Sequence, residues 1–199
     1  MKLYESILFN QIQKGSRVID LGCGGGVLLN ELIQKKACDG YGIEQSFQEV
    51  MVAMGRGIPV YQGDILDGLK QFDDASFDIA ILSQTLQQVM NPIEVIHEMC
   101  RVSKRAIVTF PNFGFWKVRF QLLTKGYSPK TKQLPYEWHN TPNIRVITIK
   151  DFRQLCSENN IHILKEIPLA KFKFQRLLFP LKLTNFLTEK GIFMVEKTH

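Results

Sequence analysis

The sequence predicts an α/β protein built on a doubly wound, mostly parallel sheet with helices on both faces. Three observations carry that prediction. Short apolar strands alternate with amphipathic helical segments, a glycine-rich turn follows the first strand, and acidic residues stand at the ends of successive strands. Alternating strands and helices imply crossover connections, and right-handed crossovers put helices on both faces of a parallel sheet.

Each element has its own signal. Leu3, Ile7, Leu8 and Ile12 recur at helical spacing, so residues 3–12 read as an opening helix. Gly15-Ser16 breaks it, and Arg17–Leu21 follows as a short buried strand. Val27–Lys36 groups Leu28, Leu29, Leu32 and Ile33 on one helical face. Gly40–Ile43 is a second strand, Gln45–Met54 a helix, and Pro59–Gln62 a weaker third strand. Phe77–Leu82 is an apolar strand set off by Asp73-Asp74 and Ser83. Asn91-Pro92 opens a helix that runs to Val102, with proline at a first-turn position where no N–H is needed. Arg105–Phe110 is the fifth strand. Phe113–Thr124 reads as a basic helix, and residues 126–143, with three prolines and three aromatics, as a long ordered loop. Thr148–Asp151 has the spacing of a capping box for a helix ending near Asn159-Asn160. Ile161–Ile167 and Ile192–Val195 read as a closing strand pair. Between them, Ala170–Leu187 mixes Lys171, Lys173, Arg176 and Lys182 with Phe and Leu. Pro180 interrupts what would otherwise suit a membrane surface, leaving a helix over the sheet edge or a dimer or partner contact.

The 199 residues hold no repeat or linker, which predicts one domain over residues 1–199. With 45% apolar residues the chain is too apolar to be disordered. Its longest uncharged stretch, Ile79–Ile93, is too short and too rich in glutamine to span a membrane. The start, Met1-Lys2-Leu3-Tyr4-Glu5, has no secretory pattern. Cys23, Cys38, Cys100 and Cys156 make no C-x-x-C pair and the four histidines no i,i+4 pair. Neither a metal site nor a disulfide framework is expected, and a reducing cytoplasm suits the thiols. The net charge of +6 is unevenly spread: residues 1–98 carry 7 basic against 13 acidic side chains, residues 99–199 carry 18 against 6. Between Glu98 and Glu137 stand eight basic residues and no acid, either a solvated rim or a surface for an acidic partner.

Asp20-Leu21-Gly22-Cys23-Gly24-Gly25-Gly26 joins the first strand to the first crossover helix. A dinucleotide fingerprint starting at Gly22 needs glycine at position 27, which is Val27. The acid two residues before the first glycine would repel a pyrophosphate but attract an ammonium. A ligand with both a carboxylate and an ammonium, such as the methionine end of S-adenosylmethionine, fits an acid beside a helix N-terminus. Glu44, at the end of the second strand, is placed to accept two ribose hydroxyls, and Asp64, after the third, an adenine amino group. Each acid alone is weak; three at successive strand ends mark the edge where open α/β sheets bind ligands. Cys23 reads as a small filler of the turn rather than a nucleophile, since no base is paired with it.

These residues resemble the class I S-adenosylmethionine-dependent methyltransferases. Nearly end to end the chain is similar to the MetW family of methionine-biosynthesis proteins. The similarity lies in Val18–Gly24, Gln62–Asp64, Ser76–Gln87, Phe110–Trp116 and Leu134–Ile144. The resemblance implies a seven-stranded sheet with an antiparallel last strand, and S-adenosylmethionine or S-adenosylhomocysteine as ligand. It implies contacts from Asp20, Gly22, Gly24, Gly26, Glu44 and Asp64, with Gln45, Ile65 and Ser83 beside them. It also implies a role next to homoserine O-acyltransferase, as its accessory or regulator, with active methylation of a small molecule as the alternative.

Leu82-Ser83-Gln84-Thr85 lacks the Asn/Asp-Pro-Pro-aromatic segment of nucleic-acid amino methyltransferases, so no nucleic-acid partner is expected. If an acceptor needs a base, His139 and Tyr136 are the candidates. The simpler reading of His139 is a hydrogen-bonded loop histidine, and of Trp116 and Trp138 packing anchors.

Overall fold

The computed structural model describes residues 3–167, 169 and 183–197. In chain order its elements are α1 (Leu3–Gln11), β1 (Arg17–Leu21), α2 (Val27–Lys36), β2 (Asp39–Glu44), α3 (Phe47–Gly55), β3 (Val60–Gln62), α4 (Ile65–Leu69), β4 (Phe77–Ser83), a 3₁₀ turn (Leu86–Gln88), α5 (Pro92–Val102), β5 (Ser103–Pro111), α6 (Trp116–Lys125), α7 (Ile149–Glu158), β6 (Ile161–Glu166), α8 (Thr184–Leu187) and β7 (Lys190–Lys197).

The seven strands form one sheet in the order β3-β2-β1-β4-β5-β7-β6. Strands β1 to β5 pair in parallel, and β7 runs antiparallel to both of its neighbours. The chain moves outward from β1 to β3 and then returns to place β4 on the other side of β1. That reversal opens a crevice at the carboxyl ends of β1 and β4. The register levels these ends: Leu21 lies opposite Ile43 and Leu82, and Glu44 opposite Gln62.

Period-two alternation sorts the strands' side chains into two cores. Val18, Ile79, Ile81 and Ile107 pack with Leu8 and Ile12 at α1 and Leu29 and Leu32 of α2. Ile19, Leu21, Ala80 and Leu82 pack on the other face with Val95, Ile96 and Met99 of α5 and Phe152 and Cys156 of α7. Phe110, Phe152 and Phe193 bring three rings together there, with centroids 4.6–5.9 Å apart. The closing strands are held by Asn112. Its Nδ2 donates to the carbonyls of Asn185 and Thr188 at 2.8 Å, and its Oδ1 accepts from Gly114 N–H at 2.9 Å.

Differences from the sequence reading are local. α4 was not predicted; at five residues it is too short to show a period, and Asp64 caps it. α3 starts at Phe47 rather than Gln45 because Ser46 takes the N-cap position. α6 starts at Trp116 rather than Phe113, the residues before it being held by Asn112. The capping box at Thr148 and Asp151 is formed in both directions. Of Ala170–Leu187, residues 170–182 lie outside the described residues. The basic stretch meets acids from elsewhere in the chain, Arg101 bonding Asp74 and Lys104 bonding Asp78, and its own flanking acids, Arg101 bonding Glu98 and Lys130 bonding Glu137. Among the described residues no helix is long and apolar enough to cross a membrane.

Candidate functional site

The glycine turn is built by backbone geometry. Gly22, Gly24 and Gly26 all adopt positive φ, at 71°, 52° and 72°, a region that L side chains avoid. At Gly22 a Cβ would also lie 2.8 Å from Thr85 Oγ1, and at Gly26 2.5 Å from Ile58 Cδ1. The Gly22 and Cys23 amides donate to the Ile43 carbonyl and tie the turn to β2. Gly26 stands at the N-cap of α2 without a side-chain cap, so the first amides of that helix have no side-chain acceptor.

Glu44 braces the turn. Its Oε2 accepts the Gly24 N–H and its Oε1 the Ser46 N–H, each at 2.9 Å. Each oxygen keeps a second lone pair, which is what a ribose diol would use. Asp64 Oδ1 accepts the Leu66 N–H at 2.8 Å. Asp20 lies beneath the turn, 3% exposed, and its Oδ1 has no hydrogen-bond partner among the described residues. Burial first, and the charge of Glu44 second, push its carboxyl up to about 7. A buried carboxylate with an unsatisfied oxygen is costly unless a cation or donor meets it.

Gly22, Glu44, Gln45, Asp64, Ile65 and Ser83 line one cavity of about 550 Å³ at the sheet's carboxyl edge. Asp20, Gly24 and Gly26 are not in its wall; they shape the turn at its end. The sequence reading missed Gln84, Thr85, Gln88, Val89, Met90 and Pro142, which line the same cavity. Gln84 carries a signal that could have found it: it follows the end of β4, at the switch point. It adopts positive φ, 61°, while its amide donates to the carbonyl and Oγ1 of Thr109 at 2.9 and 3.1 Å.

Tyr136 lines a second cavity of about 470 Å³, whose wall shares Gln84 and Gln88 with the first. His139 is exposed, edge-on to the Trp138 ring, and lines neither cavity. The structure therefore separates the two candidate bases. Trp138 is 75% exposed and Trp116 42%, so neither is the packing anchor expected of it. Burial pushes the Cys23 thiol up to about 12, which keeps it protonated and suits a filler. Among the described residues, no group of three or more His, Cys, Asp or Glu side chains is placed to hold a metal ion.

The sheet order, the antiparallel β7 and the glycine turn define the fold of the S-adenosylmethionine-dependent methyltransferases. An S-adenosylmethionine-dependent methyltransferase from Mesorhizobium loti matches it with a TM-score of 0.64 at 13% identity, over 96% of each chain. With that fold, the chain belongs to the MetW family: the family model for methionine biosynthesis protein MetW matches residues 4–195. The bifunctional methionine biosynthesis protein MetXA/MetW of Rhodopirellula baltica is 40% identical over 172 residues, covering 82% of this chain and 27% of that protein. A ubiquinone biosynthesis O-methyltransferase of Hahella chejuensis is 32% identical over 95 residues, covering 45% of this chain and 40% of its own. The chain thus spans well under half the length of either relative.

Proposed function

We propose that the protein binds S-adenosylmethionine or S-adenosylhomocysteine in the 550 Å³ cavity and serves as an accessory, regulatory partner of homoserine O-acyltransferase in methionine biosynthesis. The observation that carries the ligand assignment is the unsatisfied Oδ1 of buried Asp20 beneath the glycine turn. An ammonium is the group that satisfies it, and the uncapped N-terminus of α2 suits the accompanying carboxylate. In this reading Glu44 takes the ribose hydroxyls, Asp64 the adenine amino group, and Gln45, Ile65 and Ser83 the cavity wall around the nucleoside. When bound, the sulfonium form supplies an electrophilic methyl group. This chain's own residues bind and orient the ligand and turn its charge toward Asp20.

The partner assignment is supported by the relative in which the names MetXA and MetW are joined in one bifunctional protein. A regulator acts through different affinities of two states, so a ligand that reports pathway product gives the binding a purpose. The cytoplasm is the compartment this role requires. The second reading, an active methyltransferase on a small molecule, is favoured by the adjoining cavity that shares Gln84 and Gln88. Against it, among the described residues no histidine or carboxylate lines that second cavity, and His139 stands outside it. Calorimetric titration with both nucleosides, with and without the acyltransferase, tests the first reading. Methyl release under turnover conditions would replace it with the second.

A further inference from the structure

Helix α6 turns an apolar stripe outward. At helical spacing Trp116, Phe120 and Leu123 fall on one side of it, at i, i+4 and i+7, and Val118 on the opposite side. Val118 is buried and packs with Phe115 and Leu134, which fixes the inner face. The outer three are 42%, 59% and 85% exposed. An ordinary surface helix does the reverse, with its apolar stripe toward the core and its polar residues outward. Single exposed apolar residues need no explanation, but a row of large ones on one face marks a contact surface.

The charges beside the stripe are of one sign. From Lys117 to Lys132 the sequence has five basic residues and no acid. Lys130 is taken by Glu137. Arg119 is turned back onto the fold, its Nε donating to the Gly114 carbonyl at 2.7 Å and its guanidinium 5.7 Å from the Phe186 ring centroid. Lys117, three residues before Phe120 on the helix surface, and Lys125, in the last turn, are exposed and make no ion pair among the described residues. The face therefore offers apolar anchors beside two uncompensated cations, and its complement is apolar with carboxylates at the edge.

That complement decides among occupants. A two-fold contact with a second copy sets the same patch against itself, so lysines would meet lysines with no acid on either helix to offset them. An anionic membrane is read by clusters of ~4–8 Lys or Arg, and α6 has two free ones. An amphipathic helix seated in an apolar groove uses anchors at this spacing. We infer that the outer face of α6 docks a protein partner that presents an apolar groove with an acidic rim. The inference rests on the accessory role proposed above and names the surface by which the acyltransferase is held.

The test is interferometry of the full chain against purified homoserine O-acyltransferase. Phe120→Ser and Leu123→Ser, at exposed positions where folding is not at stake, should each weaken association about thirtyfold, the worth of a buried anchor. S-adenosylhomocysteine affinity should not change in either. Met54→Ser, at a position 56% exposed on α3, should leave association as it was. If the acyltransferase does not bind the unmodified chain, the accessory role fails and this inference falls with it. If it binds, and the two α6 variants bind as well as the unmodified chain or no worse than Met54→Ser, the docking face alone is overturned. A dimer in sedimentation that either α6 variant dissolves would give the face to a second copy instead. Retention on phosphatidylserine vesicles, lost in the same variants, would give it to a lipid surface; either result overturns the inference.

Discussion

Changing the pH should switch ligand binding through Asp20. With its carboxyl pushed up to about 7, the free protein carries a mostly neutral Asp20 in mild acid and a mostly ionised one in mild base. A ligand ammonium against Oδ1 favours the ionised form and lowers the bound-state pKa, so binding near neutrality releases a proton. Below pH 7 the ligand must first drive that proton off, and affinity falls about tenfold, or ~1.4 kcal/mol, for each pH unit until the bound-state pKa is reached. From pH 8 to pH 5 the loss should approach a hundredfold, or about 3 kcal/mol, if the bound pKa lies at or below 5. Calorimetric titration of S-adenosylhomocysteine at several pH values, in two buffers of different ionisation enthalpy, reads both the slope and the released proton. The slope should vanish in Asp20→Asn. An affinity that is flat between pH 5 and 8 in the unmodified protein, or a slope that survives in Asp20→Asn, would refute the reasoning.

Other outcomes follow from the same geometry. Because the folded-state pKa of Asp20 is raised, its contribution to stability is present below about pH 4 and is lost as pH rises through about 7. Asp20→Asn should therefore melt above the unmodified, ligand-free protein at pH 8, read by calorimetry or circular dichroism. Glu44→Ala should weaken nucleoside binding by ~1–3 kcal/mol; unchanged affinity with an intact fold would remove Glu44 from the ribose site. Gly22→Ala meets both positive φ and Thr85 Oγ1 at 2.8 Å, and strain of ~1–2 kcal/mol should appear as a lower melting temperature together with weaker binding. A double change of Lys117 and Lys125 to Glu should slow association with the acyltransferase, as added salt should, without altering nucleoside affinity. These two are preferred to Arg119, whose Nε donates to the Gly114 carbonyl at 2.7 Å. Tight, salt-steep RNA retention that is lost in the double variant would instead make the basic face a nucleic-acid surface.

The parts of the fold legible in the sequence are those with a strong local signal. The first two crossover strands, α2, α5 and the capping box of α7 carry apolar periodicity or a cap that the tertiary structure has no reason to override. What escaped is short or non-local. α4 has five residues, and the 3₁₀ turn three, too few for a period to develop. Of the cavity wall, Gly22, Glu44 and Asp64 were legible, because a strand end followed by glycine or acid marks the ligand edge of a parallel sheet. Gln88 and Pro142 join the cavity through loop paths that no spacing encodes. The acid-free basic stretch acquires acids in the same non-local way, since Asp74 and Asp78, far away in sequence, meet Arg101 and Lys104 in space. His139 illustrates the limit of residue type: a histidine in an aromatic loop suggests a base, yet the loop carries it to the surface.

The central claim, a nucleoside site built on Asp20, the glycine turn and Glu44, is tested most directly by titrating the unmodified protein at pH 8 with S-adenosylhomocysteine and, separately, with NAD. The account predicts saturable binding of S-adenosylhomocysteine at one site per chain and no comparable binding of NAD, because Val27 stands where a dinucleotide turn requires glycine and Asp20 repels a pyrophosphate. No binding of S-adenosylhomocysteine, or NAD bound as tightly, would contradict it.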